Sequence, residues 1–600
     1  MSSSAPAHRL VTGPFASLEP GFLAAVRELK REDPLRPVEV LVGSNLLAVY
    51  LRRRAADEMG AVANLRFLTF LDLARDVAPD DDTRPPMPPL GEALLAREAL
   101  LGTKEAVAFE AIRTRPSLAA ALVSTANDLR DAGIRSEELP LLLPESSTHD
   151  DRKRHLAALA AVLEGFETSR RRFRDATSLL ERAAASPIPR SDEPLLVYGL
   201  YDLGGIRESL LKNVASARPV YAFVPDDGAP EPPGLAPVRT ALFEGLLGVD
   251  ARRLAVPPLL DPAVTISPSE NAEAREVVRE ILRAADAGIP LHRIAILVRN
   301  PEVQEPPLVT ELSLRKIPFF RPAGSGFAAS PPGRAVRLLF SLAASDFPAE
   351  TFRELLDLLE TLGRFPALGL AGATSARLGA ALASLGVPEG LAALESAVAA
   401  SKARLARPFP VVDDPDGWFT ARRERERAEL DLLAKAVAEV RDLLPESSPA
   451  SWETWARRLR RTADLLLPGN PERERLERGF EAIEGLERVW RGAAVNAATV
   501  DPLLEEAIDL SPEIRGRFER DGVALLSAVS ARGLLFDLVL VPGLVEQSFP
   551  RPSRPDPLLF DEERSRLHGP AGRLVVPRTG ERHGREERFL FSLARASGRK

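Results

Sequence analysis

Two kinds of hydrophobic pattern alternate along the chain. The first is a short, unbroken run of apolar and β-branched residues: RPVEVLVG (36–43), PLLVYGL (194–200), RPVYAFVP (218–225), RIAILVR (293–299) and FDLVLVPG (536–543). A strand buried on both faces must be apolar at every position, so these runs predict parallel strands under two covering layers. The second pattern repeats every three to four residues. NAEAREVVREILRAADAG (271–288) starts after SPSE and stops at Gly288 with Pro290 beyond, which predicts a helix with ordinary start and stop signals. Strands separated by helices in this order predict α/β layers.

Two long stretches carry no strand pattern. Residues 85–190 read as helical, with Leu156, Leu159, Val162 and Phe166 on one face of a helix over 155–173. Residues 345–515 also read as mostly helical, broken by proline-rich joints near 406–417 and 444–449. Each helical block lies between strands that are incomplete without each other. The expected plan is two parallel-sheet domains, each interrupted by a large helical insertion. The first domain takes 1–84 and 186–255 around an insertion at 85–185; the second takes 256–345 and 516–600 around an insertion at 346–515. PDDDTRPPMPP (79–89) and PDDGAPEPPG (225–234) are expected loops.

Composition narrows the chemistry. Six hundred residues exceed one hydrophobic core. A 45% hydrophobic and 28% charged chain is an ordinary globular one. The net charge of −7 argues against a protein that coats nucleic acid uniformly, yet leaves room for local basic grooves. With no cysteine, disulfides, thiolate zinc sites and cysteine nucleophiles are excluded within these residues. The six histidines, at 8, 149, 155, 292, 568 and 583, show no metal-ligand spacing. No signal-peptide core and no run of about 18 apolar residues occurs, so the expectation is a cytoplasmic protein without bound metal.

Several segments resemble motifs of superfamily-one helicase motors, in that family's order. AVSARGLLFDLVLVPGLVEQSFP (528–550) resembles its motif V through Ala531, Arg532, Gly533, Leu534, Phe536, Asp537, Val539, Gly543, Leu544, Glu546, Phe549 and Pro550. RIAILVRNPEVQEPPLVTELSLRKIPFFRPAG (293–324) resembles motif IV, with Arg299 at its arginine position, and LRFLTFLDLARDVA (65–78) resembles motif Ia, with Thr69 and Phe70 in place. EERFLFSLARAS (586–597) looks like the start of motif VI. The lineage most resembled is the AddB/RecC-like subunits of two-subunit helicase–nucleases, through RPSLAAALVSTANDLRDAGI (115–134), LLVYGLYDLGGIRESLL (195–211) and SENAEAREVVREIL (269–282). The resemblance implies two RecA-like domains.

A live motor needs G-x-x-x-x-G-K-S/T after its first strand, so that backbone N–H groups, a lysine and a hydroxyl hold triphosphate and magnesium. The matching stretch is RLVTGPFASLEPGF (9–22). It keeps Gly13 but has Leu18, Glu19 and Pro20 at the glycine, lysine and hydroxyl positions. A glutamate about 4 Å from triphosphate is repulsive by about 1–4 kcal/mol. Tyr198 and Gly199 stand where an Asp–Glu pair ends the magnesium strand, leaving Asp202 further on. Leu535 replaces the glutamate of motif V, and Ser597 falls near the arginine finger of motif VI. No G-K-S/T occurs elsewhere. The expected nucleotide site is degenerate.

What remains implied is a groove for single-stranded DNA, with Thr69, Phe70, Arg299, Arg532 and Gly533 as candidate contacts. Each has a plainer alternative: Phe70 in the core, Arg299 capping a strand or paired with a carboxylate, Thr69 bonded to its own loop. RRLRR (457–461) follows Trp452 and Trp455, a combination suited to gripping DNA. ARRERER (421–427) reads as a solvated helix face, and RRRFR (170–174) suits a DNA path or a partner contact. The implied function is an ATP-incompetent, DNA-binding subunit of an AddAB/RecBCD-like end-processing complex. Its implied partners are single-stranded and duplex-end DNA and an AddA/RecB-like helicase–nuclease; no membrane is implied. Relatives of this kind continue into a PD-(D/E)xK nuclease, with magnesium and in some an iron–sulfur cluster, for which these residues hold no arrangement. Three alternatives stay open: the feeding portion of such a nuclease, an active helicase, and a structural scaffold that contacts its partner and no DNA.

Overall fold

The computed structural model describes residues 7–598, apart from 202, 227–236, 256–261, 323–326, 408–416, 471, 491, 493, 511–513, 521, 554 and 568–579. The chain divides into two compact units: Met1–Met87, Leu95–Ala323 and Ile514–Lys600 form one, and Pro88–Leu94 with Gly324–Glu513 the other.

The first unit holds both sheets, and every pairing between their strands is parallel. Sheet one contains β1 (Arg9–Gly13), β2 (Val38–Val42), β3 (Leu65–Leu68), β4 (Leu195–Tyr198), β5 (Val220–Pro225) and β6 (Arg252–Arg253), in the order β3-β2-β4-β5-β1-β6. Sheet two contains β7 (Ile294–Val298), β8 (Phe319–Phe320), β9 (Val523–Ser527) and β10 (Leu538–Leu540), in the order β10-β7-β9-β8. Two parallel sheets with helical insertions are what the strand–helix alternation predicts, and they are consistent with the two RecA-like domains that the resemblance implies.

The unbroken apolar runs have a direct cause. Along β4, Leu195 and Val197 enter the core on one face of the sheet, while Leu196 and Tyr198 enter the core on the other. Along β7, Ile294, Ile296 and Val298 pack on one side, and Ala295 and Leu297 on the other. Side chains alternate across a strand, so two covered faces demand an apolar residue at every position. The core that takes Tyr198 from sheet one also takes Leu297 and Leu526 from sheet two. The sheets therefore share one hydrophobic core. The run at 536–543 behaves differently from the expectation of a fully covered strand: β10 is a sheet edge of three residues, all half-buried.

The helix expected over 271–288 spans Glu270–Asp286, capped by the Ser269 hydroxyl accepting from the Ala272 N–H. Leu156, Leu159, Val162 and Phe166 are all fully buried along the Asp150–Arg170 helix of the first insertion. The second unit is helical, from Pro331–Ala344 to Ala497–Asp509, around a core with Trp452, Trp455, Phe340 and Phe352.

Candidate functional site

The stretch read as a phosphate loop is not a loop. β1 ends at Gly13, Pro14 follows in extended conformation, and helix α1 (Phe15–Leu29) starts at once. Leu18, Glu19 and Pro20 therefore lie inside the first two turns of α1. One residue between strand and helix leaves no string of backbone N–H groups to ring a phosphate. Gly13 has a packing reason of its own: a Cβ there would sit 3.0 Å from the Cβ of Leu254.

Side chains occupy the space instead. Phe15, Leu18 and Phe22 on α1 are buried, and Phe15 and Phe22 stack around Tyr198 at ring distances of 5.9 and 5.0 Å. Tyr198 is fully buried at the end of β4 and its hydroxyl has no partner, so burial pushes the phenol well above its ordinary pKa. Gly199 has φ of 74°, and a Cβ on it would lie 3.2 Å from the Phe15 ring. Gly533, after β9 of the other sheet, has φ of 84°; a Cβ there would lie 3.1 Å from Leu47 and 3.3 Å from Phe15. The Phe15 ring is thus in contact range of backbone from both sheets. Two glycines at positive φ allow that approach, which a larger residue would obstruct.

Glu19 is buried. It accepts from the Tyr50 hydroxyl at 2.6 Å, on helix α2 (Asn45–Met59), and from Arg54 Nε at 3.0 Å. Burial, reinforced by the neighbouring Glu19 charge, raises the Tyr50 phenol far above its usual value. Leu535 is buried. So is Ser597, whose hydroxyl donates to the Leu593 carbonyl at 2.8 Å. Asp202 lies outside the described residues. Of the described positions that the motor resemblance assigns to nucleotide, Leu18, Tyr198 and Leu535 are packed in the hydrophobic core, Glu19 and Ser597 are buried with polar partners, and Pro20 is exposed.

The candidate DNA contacts are each engaged within the fold. Thr69 caps helix α3 (Phe70–Val77): its hydroxyl accepts from the Asp72 N–H, and Asp72 accepts from the Thr69 N–H at 3.0 Å. Phe70 lies in the core of sheet one. Arg299 pairs with Glu587, Nε to carboxylate 2.9 Å. Burial raises the Glu587 carboxyl, but Arg299 and the Arg551 N–H outweigh that and hold it below its usual range. Arg532 is half-buried; it donates to the Tyr201 hydroxyl at 2.8 Å and lies over the Tyr201 ring. Gly533 is buried beside it.

The aromatic and basic runs resolve similarly. Trp452 and Trp455 are core residues, 1% and 0% exposed, with Trp455 Nε1 donating to Val495. This corrects their reading as a DNA grip, since a ring closed off from solvent cannot stack on a base. Of the arginines after them, Arg457 pairs with Glu453, Arg458 with Glu446, and Arg460 with Glu477 and Glu484. ARRERER lies on the exposed first turns of the Trp418–Leu443 helix, as expected of a solvated face. In RRRFR, Arg170 is buried between Glu167 and Asp175, and Arg171 pairs with Glu137. Arg130, Arg170, Glu167 and Asp175 line a cavity of about 800 Å³, with their charges matched among themselves.

No protein-family model matches the chain, and no curated protein matches it. Among the described residues no helix is long and apolar enough to cross a membrane, and no cluster of three potential metal ligands occurs. Phe15, Tyr50, Tyr201 and Glu587 are the structurally decisive residues that sequence reasoning left out. Only Phe15 carries a sequence signal: a large aromatic directly after Gly-Pro, within the stretch matched to the phosphate loop.

Proposed function

We propose that this chain is an ATP-incompetent, helicase-fold, DNA-binding subunit of an AddAB/RecBCD-like complex for DNA end processing. In that role it holds DNA at a break and guides the unwound strand beside an AddA/RecB-like helicase–nuclease that supplies the ATP chemistry. The observation carrying the reading is the packing of Phe15 against Gly199, Gly533 and Tyr198. Two RecA-like sheets with the space between them filled by core side chains keep the shape of a motor without room for its fuel. The ordered motif-like segments support the placement among helicase–nuclease subunits.

The test uses the full chain. Equilibrium binding of fluorescent ATP with magnesium is expected to be undetectable, and ATP hydrolysis to stay at background with single-stranded DNA present. Single-strand affinity is expected to fall with salt, log K against log salt sloping by about −0.7 per phosphate contacted. Saturable ATP binding would return the chain to the active helicases. Absent DNA affinity would remove it from DNA handling.

A further inference from the structure

We infer that the two RecA-like lobes of the first unit are clamped into one fixed body, whose geometry does not respond to nucleotide or to DNA. This goes beyond the loss of ATP chemistry, because a lobe pair with an empty cleft would remain free to hinge. Three sets of contacts tie the early half of the chain to the late half, the first two adjoining in one core and the third apart from it.

The first seam is the filled cleft. Leu18, Phe22 and Tyr198 share a continuous core with Leu534, Leu535, Phe536 and Phe549. At its margin Arg53 on α2 donates to the Phe518 carbonyl at 2.6 Å and pairs with Glu519 at 3.1 Å. Opening this seam would expose apolar side chains to water, a cost that scales with the area uncovered.

The second seam runs through Tyr201, after β4. It accepts from Arg532 of the late half and packs edge-on against Phe589 at 5.0 Å. The third lies elsewhere, between the first helical insertion and the segment after β10. Arg564 is 1% exposed and pairs with Asp128 at 3.1 Å and with Asp556. Asp556 also accepts from Thr125 at 2.7 Å. Arg152 pairs with Glu563 at 2.7 Å, donates to the Leu558 carbonyl and lies 4.1 Å over the Phe560 ring. A guanidinium this buried cannot be separated from its carboxylates without stranding a charge. Hinging about any one seam strains the other two, and packed interfaces do not deform continuously.

The chain has no cysteine, so Ser216→Cys with Ala287→Cys, both exposed, gives one spin label on each lobe. Pulsed dipolar spectroscopy is run on the full chain alone, with magnesium–ATP, and with a single-stranded oligonucleotide. A single narrow distance distribution, the same in all three, is expected. A shifted mean or a second population on either addition overturns the inference. Arg53→Gln with Arg564→Gln is expected to broaden the distribution, and an unbroadened one would refute their role as ties. If that pair fails to fold, Arg53→Gln alone, at a site one-third exposed, serves the same comparison. An unchanged distance without DNA affinity keeps the clamp and sinks the proposed DNA role; DNA affinity with a moving distance does the reverse.

Discussion

Gly533→Ala with Phe15→Leu tests the packing between the sheets directly. At φ of 84° an alanine is strained by about 1–2 kcal/mol from the backbone alone. Its Cβ would also meet Leu47 at 3.1 Å and Phe15 at 3.3 Å, which adds about 1–3 kcal/mol of overpacking. The single substitution should therefore cost about 2–5 kcal/mol. Phe15→Leu withdraws the ring and should cost about 1–3 kcal/mol by itself, somewhat below a full truncation to alanine. Combined, the two should cost less than their sum by about 1 kcal/mol or more, since the ring is one of the two groups that crowd the new methyl. The aromatic content offers a clean assay: all four tyrosines (50, 198, 201, 221) lie in the first unit and all four tryptophans (418, 452, 455, 490) in the second. Urea unfolding followed by tyrosine signals should shift, while the tryptophan transition should not. Additive losses would refute the contact between Phe15 and Gly533, and a shift confined to tryptophan would refute the assignment of both residues to one unit.

The remaining predictions use the same transitions. Tyr198→Phe removes a buried hydroxyl without a partner and should stabilise the first unit by about 1 kcal/mol; a clear loss would mean the hydroxyl is bonded. Arg299→Gln strands the buried Glu587 carboxylate and should cost about 3 kcal/mol. A drop in DNA affinity with unchanged stability would instead make Arg299 a DNA contact. Asp175, despite the upward pull of burial, is held down to about 2 from 3.8 by Arg130, with help from the Ser178 N–H and Arg170. A depressed carboxyl contributes stability above its unfolded pKa and loses it as pH falls from about 4 through about 2, here about 2 kcal/mol. The stability gap between wild type and Asp175→Asn should therefore narrow over that window. A gap constant with pH would contradict the assigned ion pairs. Arg532→Ala should weaken single-strand binding about fivefold, about 1 kcal/mol; unchanged affinity in a gel-shift titration strikes it from the site.

Strands and helices were legible in the sequence because their burial is repetitive. β4 and β7 had to be apolar at every position, and the Asp150–Arg170 helix on one face, whatever surrounds them. The short strands β6 and β8, of two residues each, were not legible, since two residues carry no period. The departure from a phosphate-loop motif was also legible, as the residue types at 18–20 and 198–199. Its form was not. Leu18 in a loop and Leu18 in a helix read alike in sequence, and only the fold brings Phe15, Gly199 and Gly533 together, across more than 500 residues of chain. The same holds for charge. An arginine has one sequence signature whether it faces solvent, as a DNA contact must, or a buried carboxylate, as Arg299 faces Glu587 and Arg564 faces Asp128. Local pattern fixes what each segment buries; which distant group it meets depends on chain crossings that leave no mark in neighbouring residues.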